Sequence, residues 1–479
     1  MDVLRLASLL EEFPPERTRL LDNLGRLRRE VGPITPELSD ALADRMNLRH
    51  GDVHEVVSFY SFLQVPVDAV RVCTGPVCDC AGSRELLTVG AIEVPCLGHC
   101  DLAPVVMHGD DVVGGVPHST NGFLLEPDEI REPPELTQEE VLARLEASGL
   151  TGMGGAGFPT WRKWEAVQRE PGPRVLIVNA DEGEPGTIKD RYVMELRPQL
   201  LLEGLAAAMR FCETDVAYIY LREEYATARA RLREAIAVRG LPVELVVGAG
   251  AYICGEETAM LESMEGRRGM PRLKPPFPSQ SGYLGLPTLI NNVETLAHVA
   301  AVLRGEWPGT RLWSVSGAVA KPGCYEAPLD ITLRSLIDDY AGGLTAEPGA
   351  IVPGGAASGI LPPAALDTPL TREALAEWGC GVGSAAVQVF PSTYSPVRLL
   401  AETMRFFAEE SCQKCTPCRI GNRALHAVFA GERTMTRDTL DEWLEAMALT
   451  SICGLGQAAP IPVRNAFAHW PELFEKMPA

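Results

Sequence analysis

Leucines recur at helical spacing at the front of the chain, first at Leu4, Leu6, Leu9 and Leu10, then at Leu20, Leu21, Leu24 and Leu27. Steps of three and four place them on one face of a helix. Pro36 after Thr35 marks another helix start. The spacing predicts a small helical bundle over 1–65. Its surface offers a docking face, although ordinary core is the plainer reading. The pattern then changes. Ala69-Val70-Arg71-Val72 reads as a short strand, and Arg174–Val178, Ala217–Leu221 and Val243–Val247 are short apolar runs of the kind that fill a buried sheet. Helical stretches over about 198–212 and 223–238 separate the last three. Thr137 and Glu140 form a capping box ahead of a helix reaching Ser148. Strand patterns at Leu312–Gly317 and Gly323–Glu326 precede a helix from Thr332 to Tyr340, ended by Gly342-Gly343. That β-β-α order predicts a ubiquitin-like β-grasp domain. The last 80 or so residues read as helices, two of them over about 396–410 and 419–430.

The fold class is therefore α/β and multidomain. Its expected parts are a helical bundle (1–65), a small domain over 66–131, an α/β domain over 132–308, a β-grasp domain over 309–395 and a helical bundle over 396–479. Glu132-Pro133-Pro134-Glu135 reads as a linker. A chain of 479 residues is too long for one core. The net charge of −21 argues against nucleic acid or an anionic membrane as the main partner. No apolar run reaches the ~20 residues of a spanning helix, and the opening residues do not read as a signal peptide. The 13 cysteines are odd in number and clustered, which favours metal ligation in a reducing compartment over disulfides. A cytoplasmic protein, or one peripheral to a larger assembly, is expected.

Cys412, Cys415 and Cys418 form Cys-x2-Cys-x2-Cys, and Cys453 follows. A tight triplet plus one suits a [4Fe–4S] cluster. Zinc sites more often use two cysteine pairs. Cys73 and Cys78, then Cys96 and Cys100, form such pairs at the ends of predicted strands. They suit a [2Fe–2S] cluster, with zinc as the stronger rival there. Cys80 competes as a ligand, and His99 reads as an exposed loop histidine.

The run Gly152-Met153-Gly154-Gly155-Ala156-Gly157-Phe158-Pro159-Thr160 lets backbone approach a phosphate, with a helix from Thr160 and Lys163 adding positive charge. It follows a helix, not a strand, so it is not the usual dinucleotide fingerprint. Two predicted strands end in polar, glycine-rich segments, Asn179-Ala180-Asp181-Glu182-Gly183-Glu184-Pro185-Gly186 and Gly248–Glu257. Carboxyl ends of sheet strands are where α/β folds bind ligands. If neighbouring, these two converge on one site; a solvated acidic turn is the alternative. Arg272–Pro278 reads as rigid and proline-rich, with an aromatic face at Phe277. Ile290-Asn291-Asn292-Val293-Glu294-Thr295 is expected to open a helix.

Together these motifs resemble the NADH-oxidising flavoprotein subunits of respiratory complex I, NAD-reducing hydrogenase and NAD-dependent formate dehydrogenase. Residues 132–479 are similar to the FMN- and [4Fe–4S]-bearing subunit. Residues 1–130 are similar to the [2Fe–2S] thioredoxin-like subunit, here joined on in front. The resemblance implies FMN held by Gly152, Gly154, Gly155, Lys163, Asn179, Asp181, Glu182, Gly255, Glu256, Asn291, Asn292 and Thr295. It implies NADH over the flavin, with Phe158 and Phe277 near the adenine and Glu184 and Glu257 near the nicotinamide and ribose. A carboxylate at the adenosine ribose disfavours a 2′-phosphate, so NAD is preferred to NADP. Hydride exchange with FMN and single-electron transfer through the clusters follow as the expected activity, a diaphorase. No side chain is expected to act as a classical acid–base catalyst.

The chain departs from that family in three places. Met153 stands where an arginine is usual, Ala166 where some members carry an aromatic, and the Cys78-to-Cys96 stretch is short. The expected partner is the catalytic subunit of a formate dehydrogenase or hydrogenase, with other iron–sulfur subunits. Soluble hydrogenase diaphorases often lack part of the front quartet, and this chain keeps all four cysteines, which leaves a partner other than hydrogenase open. The alternatives are a complex I-type NADH dehydrogenase subunit, a free-standing enzyme reducing a quinone or dye, and a non-catalytic scaffold with structural or zinc-filled sites.

Overall fold

A computed structural model describes residues 3–115 and 119–474. The front leucine pattern folds as helices, with Leu9 and Leu10 buried on Val3–Glu11; the Leu4 side chain lies outside the described residues. Helix Leu20–Val31 buries Leu20, Leu21, Leu24 and Leu27. Thr35 caps the helix Pro36–Met46, its hydroxyl accepting from the Leu38 amide at 3.3 Å. A further helix, His50–Phe59, has little apolar periodicity and is not evident from the sequence. The backbone at Ser61 and Phe62 then donates to the carbonyls of Gly250 and Ala249. The front helices are thus stitched to the α/β domain beside one of its glycine-rich strand ends.

Behind them lies a four-stranded sheet in the order Ile92–Val94, Val70–Cys73, Val106–His108, Asp111–Val113. Val70–Cys73 runs parallel to the first and antiparallel to the third. This is the thioredoxin-like unit. Each of its strands is only three or four residues long, which is why only Val70–Cys73 stands out in the pattern.

The α/β domain is organised on a parallel sheet ordered Val243–Val247, Ala217–Leu221, Val175–Ala180, Thr288–Asn292. Two expectations are corrected here. The two polar strand ends are not on neighbouring strands, because Ala217–Leu221 lies between them. Ile290–Asn292 does not open a helix. It completes an edge strand, and the helix starts at Val293 with Asn292 as its cap. The bordering strand Val175–Ala180 buries nearly every residue, as a two-sided parallel sheet requires. Helix Pro198–Cys212 lies tight against Val293–Arg304, and a Cβ at Gly204 would sit 1.9 Å from the Leu296 carbonyl. Only glycine allows that approach.

A buried ion network joins this sheet to the next domain. Lys189 Nζ lies 2.7 Å from Asp190 and 3.1 Å from Glu294. His298 approaches Glu294 at 3.3 Å, and Glu294 accepts from the Leu312 amide at 2.6 Å. Burial alone would raise the Glu294 pKa, but Lys189, His298 and Arg311 overrule it and hold the carboxyl down to about 2.

Leu312 belongs to the β-grasp sheet, ordered Pro348–Val352, Ala386–Pro391, Thr310–Gly317, Gly323–Pro328, Ser119–Thr120. Its last strand comes from the front half of the chain and pairs in parallel with Gly323–Cys324. The expected helix from Thr332 is one short turn, Leu333–Ser335, that widens into a π-helical turn over Leu336–Tyr340. The C-terminal bundle comprises Pro396–Glu409, Thr416–Phe429, Arg437–Thr450, Gly454–Ala458 and Pro460–His469. Among the described residues no helix is long and apolar enough to cross a membrane.

Glu294 supplies a test of the ion network. Its carboxyl is depressed on folding, so its contribution is complete above the ordinary value of 4.5 and is lost as pH falls toward about 2. Glu294→Gln is expected to cost about 3–5 kcal/mol at pH 7, by leaving buried cations uncompensated. In urea melts that gap shrinks at about pH 3.5. An equal gap at both pH values would contradict the linkage.

Candidate functional site

The glycine loop is closed at its base. The Gly152 amide donates to the Phe158 carbonyl at 2.8 Å, and Thr151 bridges to Pro159. Gly155 has φ +116° and Gly157 φ +62°, backbone that glycine adopts readily. The Met153 amide donates to Thr295 Oγ1 at 2.9 Å, and the Met153 side chain is buried. The residue standing for the usual arginine therefore packs inward. Gly154 lies over Asn292, where a Cβ would come within 3.3 Å of its side chain. The loop is thus laid across the edge strand and the start of its helix.

Facing it, Asn291 accepts from the Trp164 indole N–H at 3.0 Å, and Asn292 donates to Asp190 at 2.5 Å while capping Thr295. Lys163 Nζ reaches the Ile290 carbonyl at 2.9 Å and Glu257 at 3.2 Å. Lys274, not singled out by the sequence, lies 2.8 Å from Glu256 and 2.9 Å from Glu257. Burial would raise the Glu257 pKa, but Lys163 and Lys274 win and lower it. Glu256 caps helix Glu257–Met264, accepting from the amides of Thr258 and Ala259 at 2.9 Å each.

The loops after the two separated strands do meet. Asn179 Nδ2 donates to the Gly255 carbonyl at 2.7 Å. The Asp181 backbone carbonyl stands 3.0 Å from where a Gly255 Cβ would be. Asp181 Oδ2 is buried with no partner among the described residues, and burial pushes its carboxyl up to about 8. Glu182 faces inward. It accepts from the amides of Asp190 and Arg191 at 2.8 and 3.1 Å and from the Tyr225 hydroxyl at 3.0 Å, so it holds the start of helix Lys189–Leu196. Glu184 accepts from Tyr252 and from the Ala357 amide. Phe158 and Phe277 are each about half exposed, at 52% and 51%, and are free to contact a ligand. The glycine-lined cradle, the cation Lys163 and the unpartnered Asp181 oxygen suit a polyhydroxylated, phosphorylated cofactor such as FMN.

Cys73, Cys78, Cys96 and Cys100 are all buried, and the Cys96 and Cys100 sulfurs lie 4.0 Å apart. Cys78 stands on a short helix, Pro76–Cys80, which also carries the partly buried Cys80. The Gly98 amide donates to Cys96 Sγ at 3.4 Å and the Gly186 amide to Cys100 Sγ at 3.2 Å. Such N–H donors stabilise thiolates and tune a cluster they hold. His99 is buried, with its ring edge-on to Tyr225 at 5.8 Å. That corrects its reading as an exposed loop histidine. A Cβ at Gly98 would lie 2.6 Å from the Tyr225 ring, so the loop backbone packs directly against it.

Of the second set, Cys415 is the N-cap residue of helix Thr416–Phe429, and Cys418 falls in that helix's first turn. The helix begins before the expected residue 419. Cys453 precedes Gly454–Ala458. Helix starts favour thiolates. Asn422 donates to Cys418 Sγ at 3.4 Å, and Ser411 lies 3.3 Å from it. Burial raises the Cys418 pKa to about 12 and the Cys453 pKa to about 11. Neighbouring thiols add to both shifts, Cys415, Cys453 and Cys412 at Cys418 and Cys412 at Cys453. Among the described residues no three His, Cys, Asp or Glu side chains converge on a site for a single metal ion.

Comparison with known proteins draws these pieces together. Residues 145–301 match the Nuo51 FMN-binding domain and residues 398–477 the NADH-ubiquinone oxidoreductase-F iron-sulfur binding region. Residues 6–91 match the thioredoxin-like [2Fe-2S] ferredoxin, and residues 313–360 the SLBB domain. The thioredoxin-like match takes in the front helices as well as part of the small sheet. The F 2 subunit of NADH-quinone oxidoreductase from Rhizobium meliloti (strain 1021) is 42% identical over 372 residues, 70% of this chain and 88% of that protein. The F subunit from Aquifex aeolicus (strain VF5) is 39% identical, over 71% of this chain and 86% of its own length. A chain of an NAD+-reducing [NiFe]-hydrogenase, solved in the H2-reduced state, superposes with a TM-score of 0.85 at 30% identity, covering 97% of this chain and 94% of that one. The family models describe iron–sulfur rather than zinc chemistry; the second set of cysteines lies within the matched iron-sulfur region, and of the first set Cys73 and Cys78 lie within the thioredoxin-like match. The chain therefore belongs to the family of NADH-quinone oxidoreductase F subunits, as an NADH dehydrogenase module with an FMN-binding domain, a [4Fe–4S] region and a fused thioredoxin-like [2Fe–2S] domain.

Proposed function

We propose that the chain is the diaphorase module of a multisubunit complex, exchanging electrons between NAD(H) and a partner catalytic subunit of the hydrogenase or formate dehydrogenase class. One observation carries this reading. The quinone-oxidoreductase relatives align over about 70% of the chain, whereas the hydrogenase chain spans 97% of it, fused front domain included. The solved structure concerns the hydrogenase only, and the four front cysteines are what keep the formate dehydrogenase class in view.

Gly152, Gly154, Gly155, Lys163, Asn179, Asp181, Gly255, Asn291, Asn292 and Thr295 would hold FMN. Glu256 and Lys274 brace one end of that groove. Phe158, Phe277, Glu184 and Glu257 would receive the nicotinamide cofactor. Cys412, Cys415, Cys418 and Cys453 would hold the [4Fe–4S] cluster, and Cys73, Cys78, Cys96 and Cys100 the [2Fe–2S] cluster. When bound, FMN takes two electrons as hydride and passes them on singly, and the clusters carry single electrons. The protein's part is to position these groups and exclude water. Lys163 supplies fixed positive charge, and the Gly154–Gly157 backbone would line the cradle.

The cluster ligands give the direct test. Cys415→Ser is expected to spare bleaching of the flavin by NADH under anaerobic conditions and to abolish electron delivery to the partner. Normal onward flow in that variant would contradict the assignment. The glycine loop hangs on Thr295, so Thr295→Val is expected to lower FMN content in the purified protein, with recovery when FMN is added. Flavin content equal to that of the unaltered chain would contradict the role given to the Thr295 hydroxyl.

A further inference from the structure

A cavity of about 410 Å³ lies between the front cysteine loop, the two polar strand ends and the Cys412 loop. It shares Asp181 with the flavin groove, but neither Lys163, Asn179, Gly255 nor Glu256 lines it. Asp181 is thus the wall between the two spaces. The cavity opens to solvent past the exposed residues Glu93, Glu409 and Gln413.

Residues that line it carry polar atoms that the protein leaves unanswered. Asp181 Oδ2, Glu224 Oε2 and Arg71 Nη1 are each buried with no hydrogen-bond partner among the described residues. Glu224 and Arg71 are 4% and 2% exposed. The other Glu224 oxygen accepts from Arg222, and Arg71 is held through Nη2 by the Gly109 carbonyl at 2.6 Å. A cavity of this size holds water, to which unpartnered polar groups of the lining residues Asp181, Glu224 and Arg71 can turn.

Resting on the function proposed above, we infer that this cavity is the proton outlet of the flavin site, in which Asp181 Oδ2 takes up a proton at the flavin face and cavity water passes it by Glu224 to the rim. Oxidation of NADH yields NAD+, two electrons and one proton. The clusters take only the electrons, so one proton has to reach solvent for each NADH consumed. It binds Asp181 Oδ2, leaves as hydronium, and returns Asp181 to the carboxylate. NAD+ reduction runs the same path inward. The charged and titratable groups facing Asp181 are Arg222, Glu224 and Glu410, with Tyr60, Tyr220 and Cys254 behind it. Burial raises Asp181, with Glu224 and Glu410 adding to the rise and Arg222 opposing it, so the carboxyl changes charge near about pH 8. The sign is that of a carboxyl protonated below that pH and ionised above it.

The test uses the cofactor-loaded full chain, with NADH as donor and ferricyanide as acceptor in lightly buffered solution. A pH-indicator dye follows proton release beside ferricyanide reduction. In Glu224→Gln, proton appearance is expected to slow on the order of tenfold relative to the unaltered chain. Time-resolved infrared spectra of the unaltered chain during NADH oxidation at about pH 9, where Asp181 rests as the carboxylate, supply a readout that needs no variant. A carboxylic C=O band that shifts in D2O is expected, and it is lost in Asp181→Asn reloaded with FMN. Proton release at the original rate in Glu224→Gln, or the absence of any such band in the unaltered chain, overturns the outlet. Failure of NADH to bleach the flavin overturns the functional reading beneath it, and bleaching with unchanged proton kinetics overturns the outlet alone.

Discussion

Asp101 is wholly buried beside Cys100, and its two oxygens accept from Arg191 at 2.6 Å and from the Tyr192 hydroxyl at 2.9 Å. Both donors stand on helix Lys189–Leu196, which follows the flavin loop directly. A buried pair of this kind is strongly destabilised by loss of one partner, so the front cysteine loop has one permitted seat. The place of the front cysteine loop against the α/β domain depends on that seat. It sets the Gly186 amide against Cys100 Sγ, and it lets Arg222 donate to the carbonyls of both Cys96 and Glu182. The front cluster site is thereby built partly by the domain that carries the flavin residues.

The same loop is held from the other side by the β-grasp domain. Gln388 donates to the Pro185 carbonyl at 3.0 Å, and Gly186 has φ +90° with no room for a Cβ, which would lie 2.6 Å from the Gln388 amide nitrogen. Glu184 is anchored by the Ala357 amide. At the far end, Glu410 accepts from the Tyr252 amide at 2.8 Å, tying the start of the Cys412 loop to the second strand end. Residues 181–186 therefore reach the front cysteine loop, and residues 250–257 the start of the Cys412 loop. Their sequence meets several demands at once: backbone shape at Gly186, a hydrogen bond to the Cys100 sulfur, and ties to the neighbouring domains.

Much of this is legible in the sequence, for identifiable reasons. The helices with a continuous apolar stripe and the strands Ala217–Leu221 and Val243–Val247 follow from local pattern. The cysteine spacings declare their chemistry because ligands must crowd a small volume. What pattern does not give is contact between distant segments. Lys274 meets Glu257 across a proline-rich turn, and Ser119–Thr120 joins a sheet some two hundred residues away. Thr288–Asn292 is hidden because its polar end, Asn291-Asn292, reads as a helix start while the chain before it is a strand. His99 misleads because burial of a loop depends on what packs over it, here Tyr225.

The functional reading stands or falls on one chain holding a flavin and two clusters in electronic contact. The decisive experiment is a stepwise anaerobic titration of the purified full chain with NADH, followed by visible absorption and low-temperature EPR. Uptake of about four electron equivalents per chain is expected, two at the flavin and one at each cluster, with two distinct cluster signals. Uptake of about two equivalents, with flavin bleaching and no reduced-cluster signal, would contradict that electronic contact.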